Sequence, residues 1–338
     1  MKVHARIWMT LFVIVPYAFW VDIYEGALLP RLLLVHVALS TIAVTAAVAR
    51  RRSLVPQKVV ILTILFIAFL LLSLLQSQNI TESFVHLSQY GSLALLPLLM
   101  CFSVGAQDLM PLYRSIAIAS IPISLLGIGQ YLGIFPFDLP AHAHPSATFF
   151  HRNAAATYLT AIVPISALCF LTSSCDRKRW VYGSATWLAL AFLVFTRTRG
   201  AWVGALVAGL TVFGLNRALG DRVGLPSPTA HRLFAMIATV VVLGSVIIPD
   251  RIPGGSAFDD KKASAAVAVA SIVSEEGHRG RTELWKKTVD IIADHPILGV
   301  GLGNWEFQFP AYADGQHLNV DAAPRRPHND LLWLASET

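Results

Sequence analysis

Nine runs of apolar residues, each near the length a helix needs to cross a bilayer, constrain this chain more than any other feature. A spanning helix takes about 20 mostly apolar residues, and the runs are Ile7 to Ala27, Leu32 to Ala49, Val59 to Leu75, Phe84 to Val104, Leu112 to Phe135, Ala154 to Thr172, Trp180 to Phe195, Ala201 to Leu215 and Leu233 to Ile248. The runs are continuous, where a β-barrel would alternate apolar and polar residues, so they predict helices that satisfy their own backbone hydrogen bonds in lipid. Only 14% of the 338 residues are charged, against about 25% in soluble domains. The expected fold is an all-α, polytopic transmembrane helix bundle over 1–249, with a long extracytoplasmic loop containing short helices.

Charge sets the orientation. With the N-terminus inside, the inner loops hold thirteen Lys and Arg residues and the outer connections only Arg31, Arg152, Arg197 and Arg199. That asymmetry follows the positive-inside rule. It also accounts for most of the formal charge of +6, so the basic balance argues for membrane lipids as partners and against nucleic acid. Cys101, Cys169 and Cys175 lack metal-ligand spacing and fall toward the cytoplasmic side, where they are expected to be reduced thiols. The first run contains Asp22 and Glu25 near its outer end and lacks a small-residue cleavage site, so it reads as a retained helix and not as a signal peptide.

Nine crossings leave the chain outside at Asp250, and 250–329 form an extracytoplasmic loop. Leu284, Trp285, Val289 and Ile292 recur at helical spacing up to His295-Pro296, which predicts a helix there. Gly299, Gly301 and Gly303 then predict a flexible turn toward Trp305. The Ala-rich piece Ala263 to Ile272 fits either a helix on the membrane or a linker. Residues 330–338 begin a further transmembrane helix, and the expectation is that the chain is a fragment of a longer protein.

Three outer-face positions carry the chemistry: Arg199, Arg281 and His328. Arginine presents a planar, permanently charged fork that binds phosphate oxygens in pairs, so two arginines outside the membrane suit a pyrophosphate leaving group. A histidine beside them suits the general base that deprotonates an incoming hydroxyl. The chain has no Asp-x-Asp pair to hold a divalent metal, so arginine is expected to supply the charge stabilisation, with no cofactor. Arg197, Arg279, Arg152, Asn153, Asn329, Arg325 and Arg326 are the candidate supporting residues. The bland alternatives are that the arginines snorkel to lipid headgroups, and that Asn329 and Asp330 cap the helix starting at Leu331. His142 and His144 lack a third metal ligand nearby and read as structural, and Asn79-Ile80-Thr81 matches a glycosylation acceptor by pattern only.

Taken together the motifs resemble a known family. Thr198-Arg199-Gly200-Ala201 at a helix start, Arg281 to Trp285 followed by His295-Pro296-Ile297-Leu298-Gly299-Val300-Gly301-Leu302-Gly303-Asn304, and His328-Asn329-Asp330-Leu331 with Glu337 resemble the O-antigen ligase and polymerase superfamily of bacterial envelopes. Ala147 to Asn153 resembles that family's Gly-x-Phe-x-Asn-x-Asn segment, with Ala147 for the glycine and His151 for the first asparagine. The resemblance runs over residues 140 to 338. It implies a multi-pass enzyme of the bacterial inner membrane with its active site facing the periplasm. Such an enzyme transfers a glycan from an undecaprenyl-pyrophosphate carrier to a hydroxyl of lipid A-core, without nucleotide sugar or metal. By the same resemblance Arg199 and Arg281 hold the pyrophosphate and His328 activates the acceptor. A polymerase acting on a growing glycan and a protein O-oligosaccharyltransferase share these motifs.

Two other classes compete. A transporter or lipid flippase would place polar groups near the midplane on broken, often repeated helices, whereas here they gather outside. A membrane scaffold whose loop binds a partner would leave the joint occurrence of the motifs unexplained.

Overall fold

The computed structural model describes residues 3–22, 26–48, 56–135, 139, 141, 144–219, 235, 239, 242, 243, 281–313, 315 and 324–338. Eight helices answer to the first eight predicted spans: α1 (Val3–Ile14), α2 (Leu29–Val48), α3 (Gln57–Ser73), α4 (Ile80–Ser103), α5 (Ala106–Leu132), α6 (Arg152–Leu171), α7 (Asp176–Phe195) and α8 (Arg199–Leu219). Three short helices follow: α9 (Arg281–Asp294), α10 (Trp305–Tyr312) and α11 (Asp330–Glu337). No strand occurs among the described residues, and the architecture is all-α. The ninth predicted span, apart from Ala235, Thr239, Val242 and Leu243, lies outside the described residues, as do His142, Arg279 and the Ala263 to Ile272 stretch.

Helices α2 to α6 are each long and apolar enough to cross a membrane, and the protein is a multi-pass membrane protein. The outer faces match lipid as solvent: Leu62, Ile64 and Leu65 of α3 all stand exposed. Hydroxyls inside these helices bond to carbonyls of their own preceding turn, as Ser92 does to Ser88, Thr160 to Ala156 and Ser166 to Ile162. This local bonding satisfies a polar side chain where water is absent.

The chain divides into two compact units, 1–38 with 104–272 and 39–103 with 273–338. In the first, α6 packs on α7 and α5 packs on both, with α1 against α5 and α8 against α6. Small residues set the closeness of that packing. A Cβ on Gly127 of α5 would stand 2.1 Å from the buried Phe192 ring of α7. Between α6 and α7 the buried Thr186 hydroxyl donates to Ser166 at 3.0 Å. In the second unit α3 packs on α4, and α9 packs on α10 and α11.

The first span is shorter than predicted. After α1 a 3-10 turn, Val15–Tyr17, ends the helix ten residues before Ala27. Its last carbonyls, which a continuing helix would have used, converge on one side chain, with the Ala18 N–H and the Thr148 hydroxyl also donating to Val15 and Pro16. Arg31, in the first turn of α2, donates Nε to the Val15 and Ala18 carbonyls and Nη2 to that of Pro16, all within 3.2 Å.

Candidate active site

The candidate residues divide between the two units. Arg152, Asn153, Arg197 and Arg199 belong to the first, and Arg281, Arg325, Arg326, His328 and Asn329 to the second.

In the second unit, α9 opens at Arg281, and Arg281 and Trp285 lie one turn apart on one face. The Trp285 indole N–H donates to the carbonyl of buried Pro327 at 2.9 Å. The next residue, His328, takes a left-handed backbone, φ 55°, a conformation histidine tolerates better than most side chains. Asn329 then caps α11, its Oδ1 accepting from the N–H groups of Leu331 and Leu332 at 3.1 and 3.3 Å. So the histidine side chain stands on a short strained link, fixed behind by Trp285 and ahead by a helix cap.

The electrostatics suit a base. Partial burial, then the charges of Arg326 and Arg281, hold the His328 imidazole below the ordinary histidine range, and Asp330 opposes them. The ring is thereby kept neutral, with a free nitrogen lone pair, through neutral pH. Arg325 acts on a different group. Its charge opposes the burial that raises the Glu306 carboxyl of α10, with Glu82 adding to the rise.

The turn before α10 is packed and not flexible. Val300, Leu302 and Asn304 are buried, and Gly299, Gly301 and Gly303 all have positive φ. A Cβ on Gly301 would sit 2.7 Å from the Ser77 Cα, and one on Gly303 2.7 Å from the His86 ring. Asn304 ties this turn to the link between α3 and α4. Its Oδ1 accepts from the Gln78 and Asn79 N–H groups at 3.1 and 2.7 Å, and its Nδ2 donates to Ser77, Ser83 and the Leu302 carbonyl. The Asn79 side chain is itself occupied, its Oδ1 accepting from the Glu82 N–H at the start of α4.

In the first unit, Arg199 is the first residue of α8 and Arg152 the first of α6. His151 caps α6, its Nδ1 accepting from the Asn153 N–H at 3.0 Å. Histidine can therefore serve where the resembling family has asparagine, because its unprotonated ring nitrogen supplies the acceptor a cap needs. Asn153 Oδ1 in turn accepts from the Thr198 hydroxyl at 3.1 Å, one residue before Arg199. Arg197, at φ 53°, reaches the Tyr131 hydroxyl at 3.4 Å. The loop before α6 is anchored by Arg31, which donates to the Thr148 carbonyl at 2.8 Å and lies 4.2 Å over the Phe149 ring. Gln130 of α5 accepts from the Ser146 and Ala147 N–H groups.

Sequence reasoning missed Arg31, Asn304 and the packing role of Glu337. Arg31 did leave a signal, a charged residue at the threshold of an apolar run.

Fold and site together define a multi-pass helical membrane protein in which the charges of Arg326 and Arg281 bear on His328, among short helices that follow the long ones. Residues 184–338 match the family model described as O-antigen ligase, and over that stretch the chain is similar to the O-antigen ligase superfamily. The matched stretch includes Arg199, Arg281 and His328, and begins after the Ala147 to Asn153 loop. No curated protein and no solved structure matches the chain.

Proposed function

We propose that the protein transfers a glycan from an undecaprenyl-pyrophosphate carrier to a hydroxyl of lipid A-core, on the periplasmic face of the bacterial inner membrane. His328 takes the proton of the acceptor hydroxyl. The oxygen bonds to the anomeric carbon of the donor sugar, the bond from that carbon to the pyrophosphate oxygen breaks, and undecaprenyl pyrophosphate departs as an anion. Arg199 and Arg281 stabilise the charge that collects on its oxygens. Arginine does here what a divalent metal does elsewhere, and no cofactor enters the step.

One observation carries the reading: the helix that opens at Arg281 is bonded to the residue before His328 through the Trp285 indole at 2.9 Å, and there burial and the charges of Arg326 and Arg281 lower the histidine pKa. A base next to fixed cations suits a reaction in which a proton leaves one reactant while negative charge builds on the other. The test uses the full chain purified in detergent, with a lipid-linked donor and, separately, lipid A-core, a free glycan and a protein as acceptors. Transfer to lipid A-core that His328→Ala abolishes and a chelator leaves intact is the expected result. Because no second compartment exists in detergent, product formation there cannot come from transport. Normal transfer by His328→Ala at normal protein level removes His328 from the mechanism.

A further inference from the structure

Helix α11 begins two residues after His328, and its far end is fully buried, Ser336 at 0% and Glu337 at 1% exposure. Glu337 Oε1 accepts from two donors, the backbone N–H of Trp305 at 3.1 Å and the indole N–H of Trp333 at 2.7 Å. Trp305 opens α10, and its own indole donates to the hydroxyl of Thr288 on α9 at 3.2 Å. Trp285 stands almost one turn earlier on that helix, bonded to Pro327. The connections therefore close a ring: α11 to α10 through Glu337, α10 to α9 through Trp305, and α9 back to the residue before His328 through Trp285. The Val300 N–H, donating to the Ser336 carbonyl at 2.9 Å, pins the same end of α11 to the glycine turn.

A carboxylate in this position is an expensive choice. A buried acid loses its hydration, and an apolar side chain of similar volume would fill the space without that cost. What leucine could not supply is an acceptor for two donors from different directions. Among the described residues Glu337 Oε2 is buried without a hydrogen-bond partner, and the Gly303 and Trp305 backbone N–H groups and the Trp333 indole all bear on the carboxyl, so what the side chain supplies is an acceptor.

We propose that Glu337 is a positioning residue that fixes His328 relative to Arg281, acting through Trp305, Trp333 and the α9–α10–α11 ring. This inference rests on the reading of His328 as the base. Loss of the acceptor lets α11 slide, which carries His328 off the line to the acceptor hydroxyl while leaving Arg281 in place on α9. The signature is a fall in kcat with the donor KM kept.

The experiment compares Glu337→Leu, Glu337→Gln and Trp333→Phe with His328→Ala and the parent chain, all purified in detergent and assayed for glycan transfer from a lipid-linked donor. Glu337→Leu is expected to lower kcat by about 30-fold and leave the donor KM within about twofold, as for a misplaced catalytic group. Glu337→Gln keeps Oε1 and is expected to retain kcat within about threefold with an unshifted pH profile, while Trp333→Phe, losing one donor, falls by about five-fold. Wild-type kcat in Glu337→Leu overturns the proposal, and so does a Glu337→Gln variant as impaired as Glu337→Leu. If Glu337→Leu fails to accumulate, Trp333→Phe decides: reduced kcat at constant donor KM supports the proposal, and wild-type kcat overturns it. Full activity of His328→Ala defeats the underlying reading instead, whatever the Glu337 variants do.

Discussion

Trp285 donates its indole N–H to the carbonyl of Pro327, 42 residues on and immediately before His328. This bond joins the helix that starts at Arg281 to the segment that presents the histidine. A single hydrogen bond contributes about 1 kcal/mol, but a buried carbonyl left without a donor shifts to find one, and here the shift moves His328. Trp285→Phe keeps the ring and removes the donor, and transfer by it is expected to fall by about five- to twentyfold at normal protein level. Steady-state transfer kinetics in detergent, beside an immunoblot of the protein, check this.

The charges around His328 predict the direction of a pH shift. Arg326 and Arg281 lower its pKa and Asp330 raises it. A general base works in its neutral form, so the acid limb of kcat/KM follows the histidine pKa. Arg326→Gln removes a charge that lowers the pKa, which then rises, and the acid limb moves to higher pH. Asp330→Asn acts in the opposite sense and moves it lower. A limb that stays in place in both variants shows that another group controls it.

The parts of this structure that depend on local sequence were legible in it. Run length and hydropathy are properties of neighbouring residues, and helices α2 to α8 lie close to the seven runs that predict them, while the first stops early. Asn329 as a helix cap was equally local. What escaped depends on contacts between distant segments. Three alternate glycines look flexible in sequence, but Gly301 is a glycine because Ser77, more than two hundred residues earlier, leaves no room for a Cβ. Arg31 stood in sequence only as one of four outer arginines, since nothing nearby in sequence says that α1 ends beside it.

Gly301 and Gly315 separate strain from crowding. Both have positive φ, 92° and 75°. A Cβ on Gly301 meets the Ser77 backbone at 2.7 Å, whereas one on Gly315 meets nothing within 4 Å. Gly315→Ala is expected to cost about 1–2 kcal/mol from the left-handed backbone alone. Gly301→Ala adds overpacking against atoms that cannot rotate away, for a total of about 3–5 kcal/mol. Thermal unfolding in detergent should therefore place Gly301→Ala well below Gly315→Ala, and equal midpoints would contradict the close approach.

Arg31 serves four carbonyls, those of Val15, Pro16, Ala18 and Thr148, as well as the Phe149 ring. Lysine keeps the charge but has neither the forked donors nor the flat face. Val15 and Pro16 keep bonds from the Ala18 N–H and the Thr148 hydroxyl, so Arg31→Lys is expected to leave one of the Ala18 and Thr148 carbonyls short of a donor, at about 1–3 kcal/mol. The loss should appear as a lowered unfolding temperature and as faster proteolysis of the loop around Thr148, with the pH profile of transfer unchanged because His328 is untouched.

Asn304 gives the sharpest discrimination between shape and hydrogen-bond polarity. Its oxygen accepts from two backbone N–H groups, and its nitrogen faces the Leu302 carbonyl at 2.8 Å and the Ser83 hydroxyl at 2.8 Å. The substitution Asn304→Asp matches the volume and keeps both accepted bonds. The two serine hydroxyls can turn to donate to the new oxygen, but the Leu302 carbonyl cannot, so two acceptors would meet in a site with no exposure. If volume governs, Asn304→Asp is mild and Asn304→Ala, which opens a cavity, is severe. If polarity governs, Asn304→Asp destabilises at least as much as Asn304→Ala, by about 3 kcal/mol or more, because an uncompensated buried charge adds to the lost donor. The five contacts of this one side chain favour polarity, and unfolding midpoints of the two variants measured together at neutral pH decide between them.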